Sequence, residues 1–376
     1  MSASQNRIPV TIITGFLGAG KSSLLNRILK DPATSDTAVI INEFGEVGID
    51  NLLVESSGDT LVQLSNGCLC CTVRGELVDT LASLMDAMQT GRLTPVRRVV
   101  IETTGLADPA PVMQSVMGHP VMAQSFELDG VITVVDAVNG CSTLERHVEA
   151  VKQVAVADRL IISKTSMATR EKLLDLHARL DRLNPRAVRM DADAPEAATA
   201  SVLQNGLYDP ATKIADVDRW LRDEMASSHH AHDHHHHHNH GHHHHHDVNR
   251  HGADIRSFSI LHDRPIDPAA IEMFVDLLRS AHGERLLRMK AIVALSDNPD
   301  RPLVLHGVQS IFHPPQRLAA WPEGSDRRTR MVLITQDLPE EFVADLFAAF
   351  TGTPRVDRPD RAALEDNPLA VPGLRM

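Results

Sequence analysis

Short apolar runs rich in β-branched residues alternate with segments of helical periodicity through the first half of the chain. The apolar runs cover residues 8–14, 37–41, 97–101, 130–136 and 159–162. Nearly continuous runs of this kind are typical of parallel strands buried on both faces. Helical patterns lie between them at residues 21–30, 74–88 and 168–183. The alternation over residues 8–205 predicts an α/β domain with a mostly parallel, doubly wound sheet.

The periodic pattern breaks off in a histidine-rich stretch. Residues 229–246 contain fourteen histidines, and such a stretch cannot bury apolar area, so it predicts a mobile linker. Strand and helix patterns resume after residue 254 and predict a small α+β unit. We therefore expect a nucleotide-binding domain over 1–215, a helical end and linker over 216–253, a C-terminal domain over 254–352, and a flexible tail over 353–376.

Composition narrows the class of protein. The chain has 376 residues, 43% of them hydrophobic, and a formal net charge of -12. The acidic balance argues against nucleic acid as the main partner, because phosphate binding needs surplus Lys and Arg. No signal-like N-terminal segment or long apolar stretch is evident, which predicts a cytoplasmic protein without a membrane span. Four cysteines are too few for a disulfide framework in a chain of this length.

The first apolar run leads directly into a glycine-rich loop. Residues 15–22 read GFLGAGKS and fit the pattern G-x-x-x-x-G-K-[ST]. Lys21 would reach the β- and γ-phosphates, and the Ser22 hydroxyl would ligate Mg²⁺. A chance glycine-rich turn is the alternative, but a position between a buried strand and a helix favours a phosphate site. The residues predicted to contact phosphate are Gly15, Gly18, Ala19, Gly20, Lys21, Ser22 and Ser23.

Acidic loops follow the second and third apolar runs. Glu102 begins the segment ETTG, in which the carboxylate can hold Mg²⁺ through water and the Gly105 N–H can sense the γ-phosphate. The segment NEFGE at 42–46 stands where a nucleotide-sensing loop would lie. Ordinary acidic residues at strand ends are the alternative for both segments.

Three of the four cysteines cluster within four positions. Cys68, Cys70 and Cys71 can converge as thiolates on one soft or borderline ion such as Zn²⁺. Metal binding is favoured over redox pairing, and both are favoured over simple packing. Cys141 stands alone, and packing is its default interpretation.

The histidine-rich stretch can bind several divalent ions through neutral imidazole. An expression tag would normally lie at a terminus, and a plain hydrophilic spacer would not need histidine, so accessory metal loading is favoured. For His306 and His313, a polar role at a strand end is at least as plausible as a role as ligands. The histidines expected to contribute most to loading are His234, His235, His236, His242, His243 and His244.

Taken in order, the motifs GFLGAGKSS, NEFGEVGID, NGCLCCTVRGEL, ETTGLADP, VVDA and VLHGVQSIFHPP resemble those of the CobW-type family of metal-chaperone GTPases. That family is similar to the nickel-insertion GTPases that serve urease and hydrogenase. The resemblance implies a GTPase domain, a metal site at Cys68, Cys70 and Cys71, and a C-terminal domain that contacts partners. It further implies that Glu43 and Glu102 belong to loops responding to the γ-phosphate, with Lys21, Glu43 and Glu102 as the catalytic residues.

One segment departs from the pattern of guanine-binding proteins. Those proteins carry N-K-x-D or T-K-x-D after a late strand, whereas this chain has Ser163, Lys164, Thr165 and Ser166. Ser163 and Lys164 remain candidates for base binding, with Lys164 lying over the base. Ser166 replaces the acid that would accept the guanine N1 and N2 protons, so guanine preference should be weaker.

Three functions are compatible with these features. A metallochaperone would use GTP and Mg²⁺ to control Zn²⁺, or alternatively Co²⁺, and pass it to a client metalloprotein. A homo-oligomer is one assembly in which it could act. A storage protein would rely mainly on the histidines. A small-molecule phosphotransferase would need an acceptor-binding base that the sequence does not show. The phosphotransferase would also leave the cysteines unexplained, and the first hypothesis is preferred.

Overall fold

A seven-stranded parallel sheet forms the centre of the first half of the chain. The computed structural model describes residues 7–41, 61–63, 72–185, 187–203, 255–321 and 325–352. In these residues the spatial strand order is β3-β2-β4-β1-β5-β6-β7, and every neighbouring pair is parallel. The strands are β1 (Ile8–Thr14), β2 (Thr37–Ile41), β3 (Leu61–Gln63), β4 (Arg98–Glu102), β5 (Phe126–Asp136), β6 (Arg159–Ser163) and β7 (Val188–Asp191).

Helices cover both faces of this sheet and bury its apolar side chains. One apolar core lies between the sheet and the second and third helices. Another lies between the sheet and the first helix. The continuous burial of β2 and of most of β1 explains why their sequences lack alternation. The helices are α1 (Lys21–Ile28), α2 (Thr72–Gln89), α3 (Ala110–Gly118), α4 (Met122–Ser125), α5 (Gly140–Arg146), α6 (Val148–Ala155) and α7 (Arg170–Leu183).

The second unit is an antiparallel sheet with two helices on one face. Its main strand order is β11-β10-β9-β13-β8, and the short β12 pairs with β10. Helices α8 (Pro268–His282) and α9 (Glu340–Phe350) pack on this sheet through a separate apolar core. The strands are β8 (Ile255–His262), β9 (Leu286–Val293), β10 (Leu303–Val308), β11 (Ile311–Phe312), β12 (Gln316–Arg317) and β13 (Thr329–Gln336).

The α/β class and the predicted strands are confirmed, with local corrections. The fourth apolar run begins earlier than predicted, at Phe126, because its first residues pair with β1. The apolar segment after Pro302 forms two strands joined at Gln309, whose φ of 54° turns the chain. The short helices α3 to α6 were not predicted, since their apolar periodicity extends over too few residues.

The two units share an apolar core. Leu287, Val308 and Ile334 of the antiparallel sheet belong to the same buried cluster as Met113 and Val116 of α3. The antiparallel sheet therefore rests directly on a helix of the nucleotide-binding half. The histidine-rich linker and the tail at 353–376 lie outside the described residues. In the described part of the chain, no helix combines the length and apolar character needed to cross a membrane.

Candidate nucleotide-binding site

The phosphate loop joins β1 to α1 through backbone conformations that only glycine adopts easily. Gly15, Gly18 and Gly20 have φ values of 143°, 70° and 97°. A Cβ on Gly15 would lie 2.3 Å from the carbonyl oxygen of Val134 in the neighbouring strand β5. The loop is thus held close to the sheet, with backbone N–H groups available to surround an anion.

Two side chains predicted to hold Mg²⁺ meet beside this loop. The Ser22 hydroxyl donates to Glu102 Oε1 over 2.7 Å. Strand pairing explains the meeting, because Ile13 and Glu102 are register partners at the carboxyl ends of β1 and β4. Lys21, 9% exposed, opens α1, and its Nζ donates to the Phe16 carbonyl over 3.4 Å. Ser23 lies exposed on the same first turn.

The loop after Glu102 lies directly against the phosphate loop. A Cβ on Gly105 would stand 2.5 Å from the backbone nitrogen of Leu17. The Thr103 hydroxyl donates to the Thr14 hydroxyl over 2.8 Å, and the Thr103 N–H donates to the Ile13 carbonyl. Gly105 is therefore placed by close packing rather than by an unusual φ, and even a methyl group would displace one of the two loops.

Ser163 and Lys164 approach the other side of the phosphate loop. The Ser163 hydroxyl donates to the Ala19 carbonyl over 2.6 Å. Lys164 has a φ of 58°, and its Nζ donates to the Gly18 carbonyl over 2.8 Å and to Asp136 Oδ2 over 2.7 Å. Both residues therefore contact the phosphate loop, and their role in binding a base stays a prediction.

Asp136 is a site residue that our sequence analysis did not select. It ends β5 and is the register partner of Ser163, so the rule that strand ends meet at one edge could have found it. Burial by itself would raise the pKa of Asp136, but hydrogen bonds from Lys164 and from the Val138 and Asn139 N–H groups lower it below its ordinary value. Asp136 is thus an anion that fixes Lys164.

Ser166 is exposed on the short turn Thr165–Met167 that follows Lys164. A hydroxyl at this point is solvated, and within the described residues no hydrogen bond of its side chain fixes a direction toward a base. Ser166, which stands where guanine-binding proteins carry Asp, thus lies two residues after Lys164, whose side chain is held by Asp136.

The predicted metal ligands lie outside the described residues. This holds for Glu43, for Cys68, Cys70 and Cys71, and for the histidine-rich stretch. Across the described ranges, no group of three or more His, Cys, Asp or Glu side chains could hold a metal ion. Cys141 packs at the edge of the core beneath α5 and α7, and burial raises the pKa of its thiol.

His306 and His313 lie within the second unit. The His313 N–H donates to the His306 carbonyl over 2.9 Å, next to the turn between β10 and β11. The His313 side chain is buried. Burial, together with the nearby positive charges of Lys290 and Arg288, holds the pKa of His306 well below its usual range. His313 is therefore buried just beyond the end of β11, whereas His306 is half-buried within β10.

The sequence of each unit matches a described domain. The nucleotide-binding domain of the CobW/HypB/UreG family matches residues 9–190, and the C-terminal domain of the cobalamin synthesis protein CobW matches residues 255–351. This chain belongs to the CobW/HypB/UreG family. The resemblance inferred from the motifs is therefore confirmed.

Members of the family that resemble this chain are named as zinc chaperones. The zinc chaperone YjiA of Escherichia coli is 34% identical over 91% of this chain and 98% of its own length. The zinc chaperone CobW of a Sinorhizobium species is 29% identical over 91% of this chain and 96% of its own length. The crystal structure of the Zn(II)-bound YjiA GTPase from E. coli aligns with a TM-score of 0.62 over 92% of this chain and 99% of that one.

Proposed function

We propose that this protein is a zinc chaperone that hydrolyses GTP to GDP and phosphate in order to control the binding and transfer of Zn²⁺ to a client metalloprotein. The observation that carries the nucleotide part is the 2.7 Å contact between Ser22 and Glu102, which lies beside a glycine loop whose backbone N–H groups can surround an anion. The proposal that Zn²⁺ is the metal transferred is supported by the names of the relatives, which are zinc chaperones.

The residues present fit a magnesium–triphosphate group. Hydroxyl and carboxylate oxygens are the ligands that Mg²⁺ prefers, and Ser22 and Glu102 bring one of each together. The cation would neutralise charge on the phosphates. Lys21, at the start of α1, would add a further positive charge at the β- and γ-phosphates. The Gly105 N–H is proposed to respond to the γ-phosphate.

GTP is the proposed nucleotide because Ser163 and Lys164 occupy the positions that flank a guanine base in related GTPases. Lys164 is fixed by Asp136 and by the Gly18 carbonyl, so its aliphatic stem is ready to lie against a planar ring. The exposed Ser166 leaves the base edge without a carboxylate partner. We therefore propose GTP with limited discrimination against ATP.

Zn²⁺ is the proposed cargo, and Cys68, Cys70 and Cys71 are its proposed ligands. Thiolates suit Zn²⁺, and a tetrahedral site needs a fourth ligand from elsewhere. Glu43 is proposed to link this segment to the γ-phosphate, and the histidine-rich stretch to load metal. Co²⁺ is the alternative cargo. We propose that transfer to the client metalloprotein takes place in the cytoplasm.

The test measures Zn²⁺ affinity of a variant that lacks residues 229–246, first with a non-hydrolysable GTP analogue and then with GDP. If metal and GTP favour the same arrangement, each tightens the other by the same factor, within the usual range of about 5–150-fold. Cys70→Ser should abolish the difference, whereas Cys141→Ser should preserve it. Equal affinities in the two nucleotide states would contradict the chaperone proposal.

A storage function has one observation in its favour, the fourteen histidines between residues 229 and 246. Deletion of that stretch separates the two functions. A chaperone lacking it should still activate its client when metal is plentiful. A storage protein lacking it should lose metal tolerance in the cell and keep no nucleotide-dependent zinc affinity. Repeating both measurements with Co²⁺ would identify the preferred cargo.

A further inference from the structure

Helix α6 holds the loop that follows Glu102 through a buried glutamine. The Gln153 side chain is 1% exposed, and its Nε2 donates to the carbonyls of Gly105 and Ala107 over 3.1 and 3.0 Å. Its backbone carbonyl accepts from the Thr133 hydroxyl over 2.7 Å, which anchors α6 to β5. One amide group therefore fixes two points of the loop beside the phosphate site.

The preceding residue of α6 holds the end of the same loop. Lys152 Nζ lies 2.9 Å from Asp108 Oδ2. The other carboxylate oxygen of Asp108 accepts from the Ala110 N–H, at the start of α3. Successive residues of α6 thus contact the loop from Gly105 to Asp108. A shift of that loop would have to break these contacts or move α6 and α3.

The C-terminal end of α6, just beyond Gln153, is bound to the antiparallel sheet. Arg288 of β9 donates to the Val156 carbonyl, one residue beyond the helix. Arg288 and Lys290 both pair with Asp158, whose side chain is only 7% exposed. Although burial alone would raise the pKa of Asp158, these two cations hold it far below its usual range. The Asp158 carboxylate also accepts from the Val131 N–H over 2.9 Å, so the ion cluster connects β5, α6 and β9.

Helix α3 makes a second connection from the loop to the same sheet. Gln114 Nε2 donates to Gln309 Oε1 over 2.6 Å, at the turn between β10 and β11. A Cβ on Gly118 would lie 3.2 Å from the Ile311 side chain. The loop consequently lies between α6 and α3, and both helices contact the antiparallel sheet.

The loop region retains hydrogen-bonding groups that its present arrangement does not use. The Thr104 hydroxyl and the Gln153 side-chain carbonyl are buried, and neither has a hydrogen-bond partner in the described part of the chain. Leaving buried polar groups without hydrogen bonds destabilises this arrangement relative to one that satisfies them. An element with two arrangements of similar energy is what allosteric coupling requires.

We propose that α6 couples the loop at residues 102–108 to the C-terminal sheet, with Gln153 as the positioning residue, so that the state of the γ-phosphate is transmitted to the client-binding half. This inference rests on the proposed function, since it needs a nucleotide at the phosphate loop. It adds a route, from Gly105 through Gln153 and Asp158 to Arg288, by which hydrolysis would alter the C-terminal domain.

The test compares hydrogen exchange of the full chain with a non-hydrolysable GTP analogue and with GDP, followed in peptides covering β9. In the wild type, exchange in Leu286–Val293 should differ between the two nucleotides. Gln153→Met removes the amide while keeping the length of the side chain. It should reduce the difference in exchange by about fivefold or more, the lower end of usual coupling factors. Nucleotide affinity and melting temperature should change far less.

Gln124→Met is the matched control, because Gln124 is exposed in α4 and the substitution is the same. If Gln153→Met does not fold, Lys152→Met tests the same end of the helix, with the exposed Lys172→Met as its control. An unchanged exchange difference in the folded α6 variant would overturn the proposal. So would a wild type that binds both nucleotides without any difference in β9. A wild type that binds neither nucleotide would instead refute the proposed function, and this inference with it.

Discussion

The phosphate end and the base end of the proposed nucleotide site are built by different means. At the phosphate end, the shape of the site depends on backbone conformation and close packing. Gly15 packs against β5, and Gly105 packs against Leu17. At the base end, side chains decide it: Lys164 is held by Asp136, and Ser166 is exposed. The first end tolerates almost no change of residue, whereas the second can change its preference without a change of fold.

This difference explains why the sequence is more informative about the phosphate end than about the base end. A phosphate group is bound by backbone N–H groups, so its loop must have glycine at specific positions, and the sequence shows them. A base is distinguished by one or two side-chain hydrogen bonds, which many residues can supply. Four substitutions test the contrast.

The largest effect is expected from Lys21→Ala. Removing this charge from the phosphate end should lower the rate of GTP hydrolysis by about 10²–10³-fold or more, because a preorganised charge at the γ-phosphate is lost. Phosphate release measures the rate, and the melting curve should stay close to that of the wild type. Lys30→Ala, at an exposed position just after α1, is the control. Undiminished hydrolysis in the Lys21 variant would refute the assignment of the site.

Gly105→Ala should have the next largest effect. The added methyl group would collide with the Leu17 backbone and separate the two loops, and a misplacement of about 1 Å can cost about 10²-fold in rate. Steady-state hydrolysis provides the measurement. Gly75→Ala is the matched control, since no atom of the described residues lies within 4 Å of a Cβ at that exposed position of α2. Equal rates in both variants would show that the loop contact does not matter.

Ser166→Asp should sharpen base preference without changing the phosphate end. A carboxylate that accepts the guanine N1 and N2 protons should increase the ratio of GTP to ATP affinity by about tenfold or more, since hydrogen bonds to a charged group contribute roughly 1.5–3 kcal/mol. Competition binding measures the ratio, with Ser280→Asp on α8 as a control for added charge. Strong selectivity in the wild type, unchanged by Ser166→Asp, would contradict this account of the base end.

The smallest effect is expected from Asp136→Asn, which leaves Lys164 without its anionic partner. Because the pair is partly exposed, nucleotide affinity should fall only severalfold, or by about 1 kcal/mol. The pKa of Asp136 is lowered from 3.8, so its charge is present above that value and is lost only as the pH falls below it. The loss of affinity should therefore be the same from about pH 5 to pH 8. A loss that varied across this window, or a similar loss in the exposed Asp175→Asn, would contradict the proposed pairing.

The sequence also predicts that intrinsic GTP hydrolysis by this chain is slow. No arginine finger was evident in the sequence, and that group speeds related enzymes by about 10³–10⁵-fold. We expect hydrolysis well below the roughly 1–10³ s⁻¹ of typical enzymes, and single-turnover phosphate release would measure it. Rapid turnover by the isolated chain would indicate that one of its own side chains supplies the positive charge of an arginine finger.

The sequence by itself determined the parallel sheet, the phosphate loop, the acidic strand end at Glu102 and the division into a nucleotide-binding half and an α+β half. These features depend on local rules: apolar runs, glycine at fixed positions and carboxylates directly after strands. Only the tertiary structure decided that Asp136 fixes Lys164, that Gln153 holds the loop after Glu102, and that Asp158 joins α6 to Arg288 and Lys290. These contacts join residues that are distant along the chain, and their side chains meet only because the sheet order and helix packing bring them together.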